Sequence, residues 1–189
     1  MRKYLIISLL ASYSIVFAGE SEDFKAVDNL YKERNFKAAL VESEKFLQKY
    51  PESKHQKSMR DKVAKIYFLE KNYKKAEEIF KKLFMMEEKQ SQKDEYASYL
   101  ARANALLNNS DSAMFYVREI KDKKVFQKTF FAVAQNFLAK ENNEAALKAY
   151  KEIIDNKYES YKESMMGLGI VYYNLKDYDK AIYWLSEYS

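Results

Sequence analysis

The chain contains no cysteine, one proline, one histidine and three glycines in 189 residues. The missing cysteine excludes disulfides, thiolate metal sites, a cysteine nucleophile and an acylated lipoprotein anchor. Three glycines are too few for the backbone turns of a doubly wound α/β fold or a β-sandwich. The one histidine, His55, has no second histidine or cysteine to complete a metal site. It ends the stretch Pro51-Glu-Ser-Lys-His55, which reads as a solvated linker ahead of a helix. Neither sign of charge dominates, with 33 Lys and Arg against 28 Asp and Glu. Apolar and aromatic residues, by contrast, are plentiful, at 48% and 16% of the chain. That apolar content with a single proline excludes a disordered chain and leaves a helical protein large enough to bury a core.

Residues 1–18, MRKYLIISLLASYSIVFA, read as a secretory signal peptide. Arg2 and Lys3 form its basic end, an apolar stretch follows, and Val16-Phe17-Ala18 predicts cleavage before Gly19. The apolar run is shorter than the ~20 residues of a membrane span, and three serines interrupt it. No stable membrane span is expected after cleavage. Removing two basic residues brings the net charge from +5 to +3. Among the basic residues lysine far outnumbers arginine, which favours solvated point charges over bidentate phosphate recognition. With export added, nucleic acid is not an expected partner.

Residues 19–189 are a repeat array. An aromatic-x-x-Ala phrase recurs as Phe36-Lys-Ala-Ala39, Tyr73-Lys-Lys-Ala76 and Tyr178-Asp-Lys-Ala181. Asp111-Ser-Ala113 and Asn143-Glu-Ala-Ala146 are weaker copies without the aromatic. The alanines at 39, 76, 113, 146 and 181 are 37, 37, 33 and 35 residues apart. Approximate units are 20–53, 57–90, 94–125, 127–158 and 162–189. Each has apolar residues at helical spacing before and after a short polar turn, so each reads as helix A, turn, helix B. The turns are Arg34-Asn35, Lys71-Asn72, Asn108-Asn109-Ser110, Glu141-Asn142-Asn143 and Lys176-Asp177. Asn, Asp and Ser suit these places because their side chains bond nearby backbone groups.

The unit resembles the tetratricopeptide repeat. Leu168-Gly169-x-x-Tyr172 followed by Tyr178-x-x-Ala181 and Leu185 is the best match, and Val63-Ala64-x-x-Tyr67 with Tyr73-x-x-Ala76, Phe80 and Leu83 is close behind. The resemblance implies an all-α fold, a right-handed α-solenoid of about five helix–turn–helix units. Ala39, Ala76, Ala113, Ala146, Gly169 and Ala181 are its small positions, where helix axes approach. The phrase Phe36-x-x-Ala39-Leu40…Phe46-Leu47-x-Lys49-Tyr50-Pro51 is similar to repeats of bacterial envelope factors, the outer-membrane assembly lipoprotein and the Tol–Pal-associated division coordinator. The first carries a lipid anchor, for which this chain has no cysteine.

In such arrays the A helices line a concave face, where partners bind. Aligned positions place Phe24, Asp28 and Tyr31 there in the first unit and Asp61, Lys65 and Phe68 in the second. Ser98 and Arg102 follow in the third, Phe131 and Gln135 in the fourth, and Met166, Ile170 and Tyr173 in the fifth. Aromatic anchors with one arginine suit peptide or protein capture. Phe131 and Ile170 also fit core positions. A carboxylate clamp is disfavoured, because Asp28 stands where such clamps carry asparagine.

Gly167-Leu-Gly169 follows no strand, so packing explains it better than phosphate binding. The carboxylates read as exposed faces with helical ion pairs. No nucleophile–base arrangement is present, and nothing asks for a metal or cofactor. The expectation is a non-catalytic, exported scaffold, periplasmic first and secreted second, that binds protein or peptide partners in envelope assembly or maintenance. The alternative is a self-associating structural or surface protein. Its final helix carries Ile182, Trp184, Leu185 and Tyr188, which suggests an incomplete reading frame, a homodimer contact or an unshielded end.

Overall fold

The computed structural model describes residues 19–189; the expected signal peptide, 1–18, lies outside the described residues. Among those described every regular element is a helix, as the resemblance implies. Contacts divide the described residues into two compact units, 19–70 and 71–189.

The first unit holds α1 (19–32), α2 (Phe36–Lys49) and α3 (Gln56–Leu69). Val27, Phe46, Tyr50 and Met59 form its core, with Phe24 and Leu47 against it. Burying a side chain such as Phe46 removes enough apolar surface to stabilise the fold by ~2–3 kcal/mol. The link from α2 to α3 is tied from three directions. Ser53 donates its hydroxyl proton to Glu20 at 2.6 Å, and the Gln56 amide donates to the carbonyls of Leu47 and Tyr50 at 3.1 and 2.7 Å. His55 departs from the solvated linker expected of it. It is half-buried, its ring stacked on Phe24 at 4.1 Å, because α1 packs beside the start of α3.

The second unit runs α4 (Tyr73–Met86), α5 (Gln90–Leu106), α6 (Ser110–Glu119), α7 (Lys123–Ala139), α8 (Asn143–Asp155), α9 (Tyr161–Asn174) and α10 (Tyr178–Tyr188). The A helices α5, α7 and α9 each pack on their own B helix, on the B helix before, and on one another in sequence. This is the stacking of an α-solenoid. Small residues make the close approaches. A methyl on Gly167 would sit 2.5 Å from the Tyr150 ring of α8, and one on Gly169 would sit 2.6 Å from Leu185 of α10. Ala76, Ala113, Ala146 and Ala181 are all buried, as is Ala39 in the first unit.

The turns explain how so few glycines suffice. Arg34, Lys71, Asn108, Glu141 and Lys176 each have φ between 57° and 64°, the left-handed region glycine usually supplies. At four of the five, the next residue donates its N–H to a carbonyl five residues back: Asn35 to Leu30, Asn109 to Asn104, Asn142 to Phe137 and Asp177 to Tyr172. These are Schellman closures. The residue that closes helix A is also the N-cap of helix B. Asn72, Asn142 and Asp177 accept from the backbone N–H three residues on.

Candidate functional site

The expected binding residues fall into two differently built sets. In the first unit the charged ones, Asp28, Asp61 and Lys65, are already held in ion pairs. Asp28 pairs with Lys32 and, at 3.4 Å, with Lys62. The Lys32 hydrogen bond, with the Lys62 charge adding to it, holds the Asp28 carboxyl below its usual range. Lys65 donates to Asp61 at 2.9 Å, with both side chains only 17% exposed. Lys62 also lies over the Phe24 ring at 5.1 Å, so Phe24 is covered by Lys62 and His55. Tyr31 is half-buried with its ring 6.0 Å from Phe36. Phe68 differs from the expectation: it is buried, one helical turn after the buried Ala64 and on the opposite side of α3 from Met59, because α3 is covered on more than one face.

In the second unit the set grades from polar to apolar. The Ser98 hydroxyl accepts from Thr129 at 2.8 Å, so it lies in the seam between α5 and α7. The Arg102 guanidinium sits 5.9 Å from the centre of the Tyr99 ring. Phe131 is half-buried, edge-on to Tyr150 at 6.3 Å, while Gln135 is exposed. Met166, Ile170 and Tyr173 are 40%, 39% and 63% exposed and lie at i, i+4 and i+7 on α9. Gly167 faces α8 and Gly169 faces α10. Leu168, Val171 and Tyr172 are buried as well, and Met166, Ile170 and Tyr173 form a stripe on the side of α9 left uncovered. A lone exposed apolar residue needs no explanation, but a stripe of three is a place for another molecule.

Burial pushes the Tyr150 hydroxyl up to about 12, and it also raises Tyr116, with Glu77 adding to the effect. Neither lies in a polar cluster able to use the shift. Among the described residues no group of His, Cys, Asp and Glu is arranged to hold a metal ion, and no helix is long and apolar enough to cross a membrane.

Two features escaped the sequence reading. Asp94 is 2% exposed, against the expectation that carboxylates sit on solvated faces. It accepts the backbone N–H groups of Lys121 and Asp122 at 3.1 and 2.9 Å and the Gln90 amide at 2.7 Å, fastening the link before α7. Gln127 does the same for the next link, accepting from Glu159 N–H at 3.2 Å. Glu20, Asp94 and Gln127 occupy one repeat position, so the alignment contained the signal. The second feature is a crevice of about 400 Å³ between α6 and α8 that includes Ser110, Met114 and Ala145 and is bridged by Arg118 and Glu152 at 3.5 Å. It opens where Ser110 replaces the aromatic that begins α4 and α10.

Comparison with known proteins agrees with this geometry. The tetratricopeptide repeat family model matches residues 131–188. Comparison with curated sequences gives no match. Among solved structures, MamA superposes with a TM-score of 0.65 at 16% identity, covering 89% of each chain. YrrB, described as a tetratricopeptide repeat protein with an unusual peptide-binding site, superposes at 0.58 and 15% identity, covering 86% of this chain and 80% of its own. A putative kinesin light chain of Podosopora anserina with nearly identical repeats gives 0.63 at 11% identity, covering 89% of this chain and 92% of that one. The chain therefore has the all-α repeat fold of tetratricopeptide repeat proteins.

Proposed function

We propose that the chain is a non-catalytic scaffold that binds a protein or peptide partner on the open face of its A helices. The observation that carries this reading is the exposed stripe Met166, Ile170 and Tyr173, an apolar surface at helical spacing beside Phe131 and Gln135. Each such side chain can contribute ~1.5–3 kcal/mol when a partner buries it, before the cost of association is met. The peptide-binding site named for YrrB supports the same use of the fold. Arg2, Lys3 and the apolar run before Gly19 support export, with the periplasm the favoured compartment and envelope assembly or maintenance the favoured setting.

A photo-crosslinking residue at Ile170 tests the binding face, with the same residue at Lys151 on α8 as control. A defined partner captured from Ile170 and not from Lys151 supports the reading. Equal capture at both, or none at Ile170, sinks it. Fractionation with N-terminal sequencing tests export separately: a retained Met1 in the cytoplasm removes that part.

A further inference from the structure

The crevice between α6 and α8 lies inside the array, between two B helices and away from the α9 stripe. The repeat register shows what is missing from it. Three residues after its small alanine, helix B carries Tyr116 in α6 and Trp184 in α10, but Ala149 in α8. Tyr116 turns to the B helix before its own: it is 7% exposed, and its ring meets Phe84 of α4 edge-on at 5.6 Å. One residue before the small alanine, α10 carries Lys180 where α8 carries Ala145. Lys180 lies over the Tyr172 ring at 5.3 Å, and Lys151 of α8 lies over the same ring at 5.9 Å. Phe137 holds the Tyr172 position one unit earlier and lines the crevice. Where α10 presents a lysine and a tryptophan, α8 thus presents two methyl groups and about 400 Å³ of open space.

We infer that the α6–α8 crevice is a second docking site, which takes an aromatic side chain of a protein partner from a segment with a lysine or arginine beside it. Register supplies the aromatic. The B helices on either side carry Tyr116 and Trp184 at the position that Ala149 leaves small, so a partner's ring restores the packing of the neighbouring junctions. The space is of the size that holds a small ligand. Charge supplies the basic neighbour. Three carboxylates, Asp111, Glu144 and Glu152, line the crevice against Arg118 and Lys148. Arg118 pairs with Glu152 at 3.5 Å and Lys148 with Glu144 at 2.7 Å, which leaves Asp111 with no ion pair among the described residues. A cation beside the ring meets that surplus and an anion is repelled by it. Lys180 and Trp184, four residues apart on α10, are the chain's own example of the pair. The crevice shares no residue with the stripe on α9, so this site goes beyond the function proposed above and does not depend on it.

Methyl NMR on protein labelled at alanine and isoleucine, titrated with N-acetyl-lysyl-tryptophanamide, tests the proposal. The Ala145 and Ala149 methyl signals should move and saturate with a Kd of about 1–10 mM, the range one anchored side chain supports. N-acetyl-glutamyl-tryptophanamide should bind about fivefold more weakly, and N-acetyl-lysyl-alaninamide should move neither methyl. Asp111→Asn should reduce the preference for lysine to about twofold or less. Ala149→Trp rebuilds the α10 arrangement and should weaken binding at least about 10-fold by filling the crevice. Ala149 is 3% exposed, so if that variant loses its helical circular dichroism, Ala145→Lys at the half-buried position takes its place with the same expected loss. No movement of the two methyls up to about 20 mM peptide overturns the proposal. So does binding that the folded crevice-filling variant leaves intact, or equal affinity of the parent for the two tryptophan peptides. Movement confined to the Ile170 methyls also overturns it, while upholding the stripe on α9 as the binding face.

Discussion

Glycine introduced at the turn positions should stabilise this protein, against the usual effect of that residue in helical proteins. Glu141 and Lys176 are exposed and hold φ of 57° and 62°. Each donates its own N–H to a carbonyl three residues back, Leu138 at 2.9 Å and Tyr173 at 3.0 Å, and these backbone bonds survive loss of the side chain. An L residue in this conformation costs ~1–2 kcal/mol, which glycine removes. Glycine also gives the unfolded chain more freedom, which costs ~0.5–1 kcal/mol. Glu141→Gly and Lys176→Gly should therefore each stabilise by about 0.5–1 kcal/mol. Asn108→Gly should give less, because asparagine enters the left-handed region readily and its side chain accepts from Asn142 at 2.7 Å. Lys128→Gly, on the exposed side of α7, is the control and should cost ~1 kcal/mol. Urea unfolding followed by circular dichroism at neutral pH measures all four. If the two turn variants unfold at lower urea than the parent, the left-handed residues are not strained and the reasoning fails.

Gly167→Ala should be less stable than Gly169→Ala, by ~1–3 kcal/mol in thermal melts, because the first methyl meets the Tyr150 ring and the second meets Leu185, an exposed side chain that can turn aside. Equal melts would show that α8 and α9 separate without cost. Asp94→Ala should cost ~2–3 kcal/mol by leaving the Lys121 and Asp122 N–H groups without their acceptor, and hydrogen exchange should quicken at those two amides first. Stability should also fall at both ends of the pH range. Asp23, held low by hydrogen bonds from Lys49 and Tyr50, contributes above pH 4 and loses that contribution as pH falls through its lowered value. Tyr150, raised to about 12, has its contribution intact below pH 10 and loses it as pH rises through that value. Asp23→Asn and Tyr150→Phe should each flatten the corresponding limb, and an unchanged limb in urea titrations at stepped pH would refute the assignment.

The helices and turns were readable because both rest on local chemistry. Five alanines spaced 33 to 37 residues apart mark the close approaches, and Asn or Asp after the left-handed residues 34, 71, 108, 141 and 176 marks where helix A stops and helix B begins. The misreadings share a cause: periodicity says which face a residue occupies, not which neighbour arrives there from another helix. His55 looks solvated until α1 brings Phe24 to it, 31 positions earlier in the chain. Asp94 looks like one more surface carboxylate until the link before α7 turns two N–H groups onto it. The candidate face was legible in part for the same reason. Met166 and Tyr173 fall on the open side of α9 by spacing alone, whereas Phe68 occupies the equivalent of Tyr173 yet is buried.

The division of labour between turns and faces follows from the scarcity of glycine. Each A-to-B link is three residues long and needs one left-handed residue and one residue that starts the next helix; here Arg, Lys, Asn or Glu serves the first need and Asn or Asp stands at the second, its side chain capping α4, α8 and α10. So short a link leaves helix B no course but antiparallel to helix A, with the small residue of each facing the other. Gly167 and Gly169 then stand where α9 is pressed from two sides, with Leu168, Val171 and Tyr172 buried beside them, and Met166, Ile170 and Tyr173 are left on the third side. The exposed stripe is thus a consequence of how the repeat packs, and a partner that buries Met166, Ile170 and Tyr173 would complete a core that the turns left open.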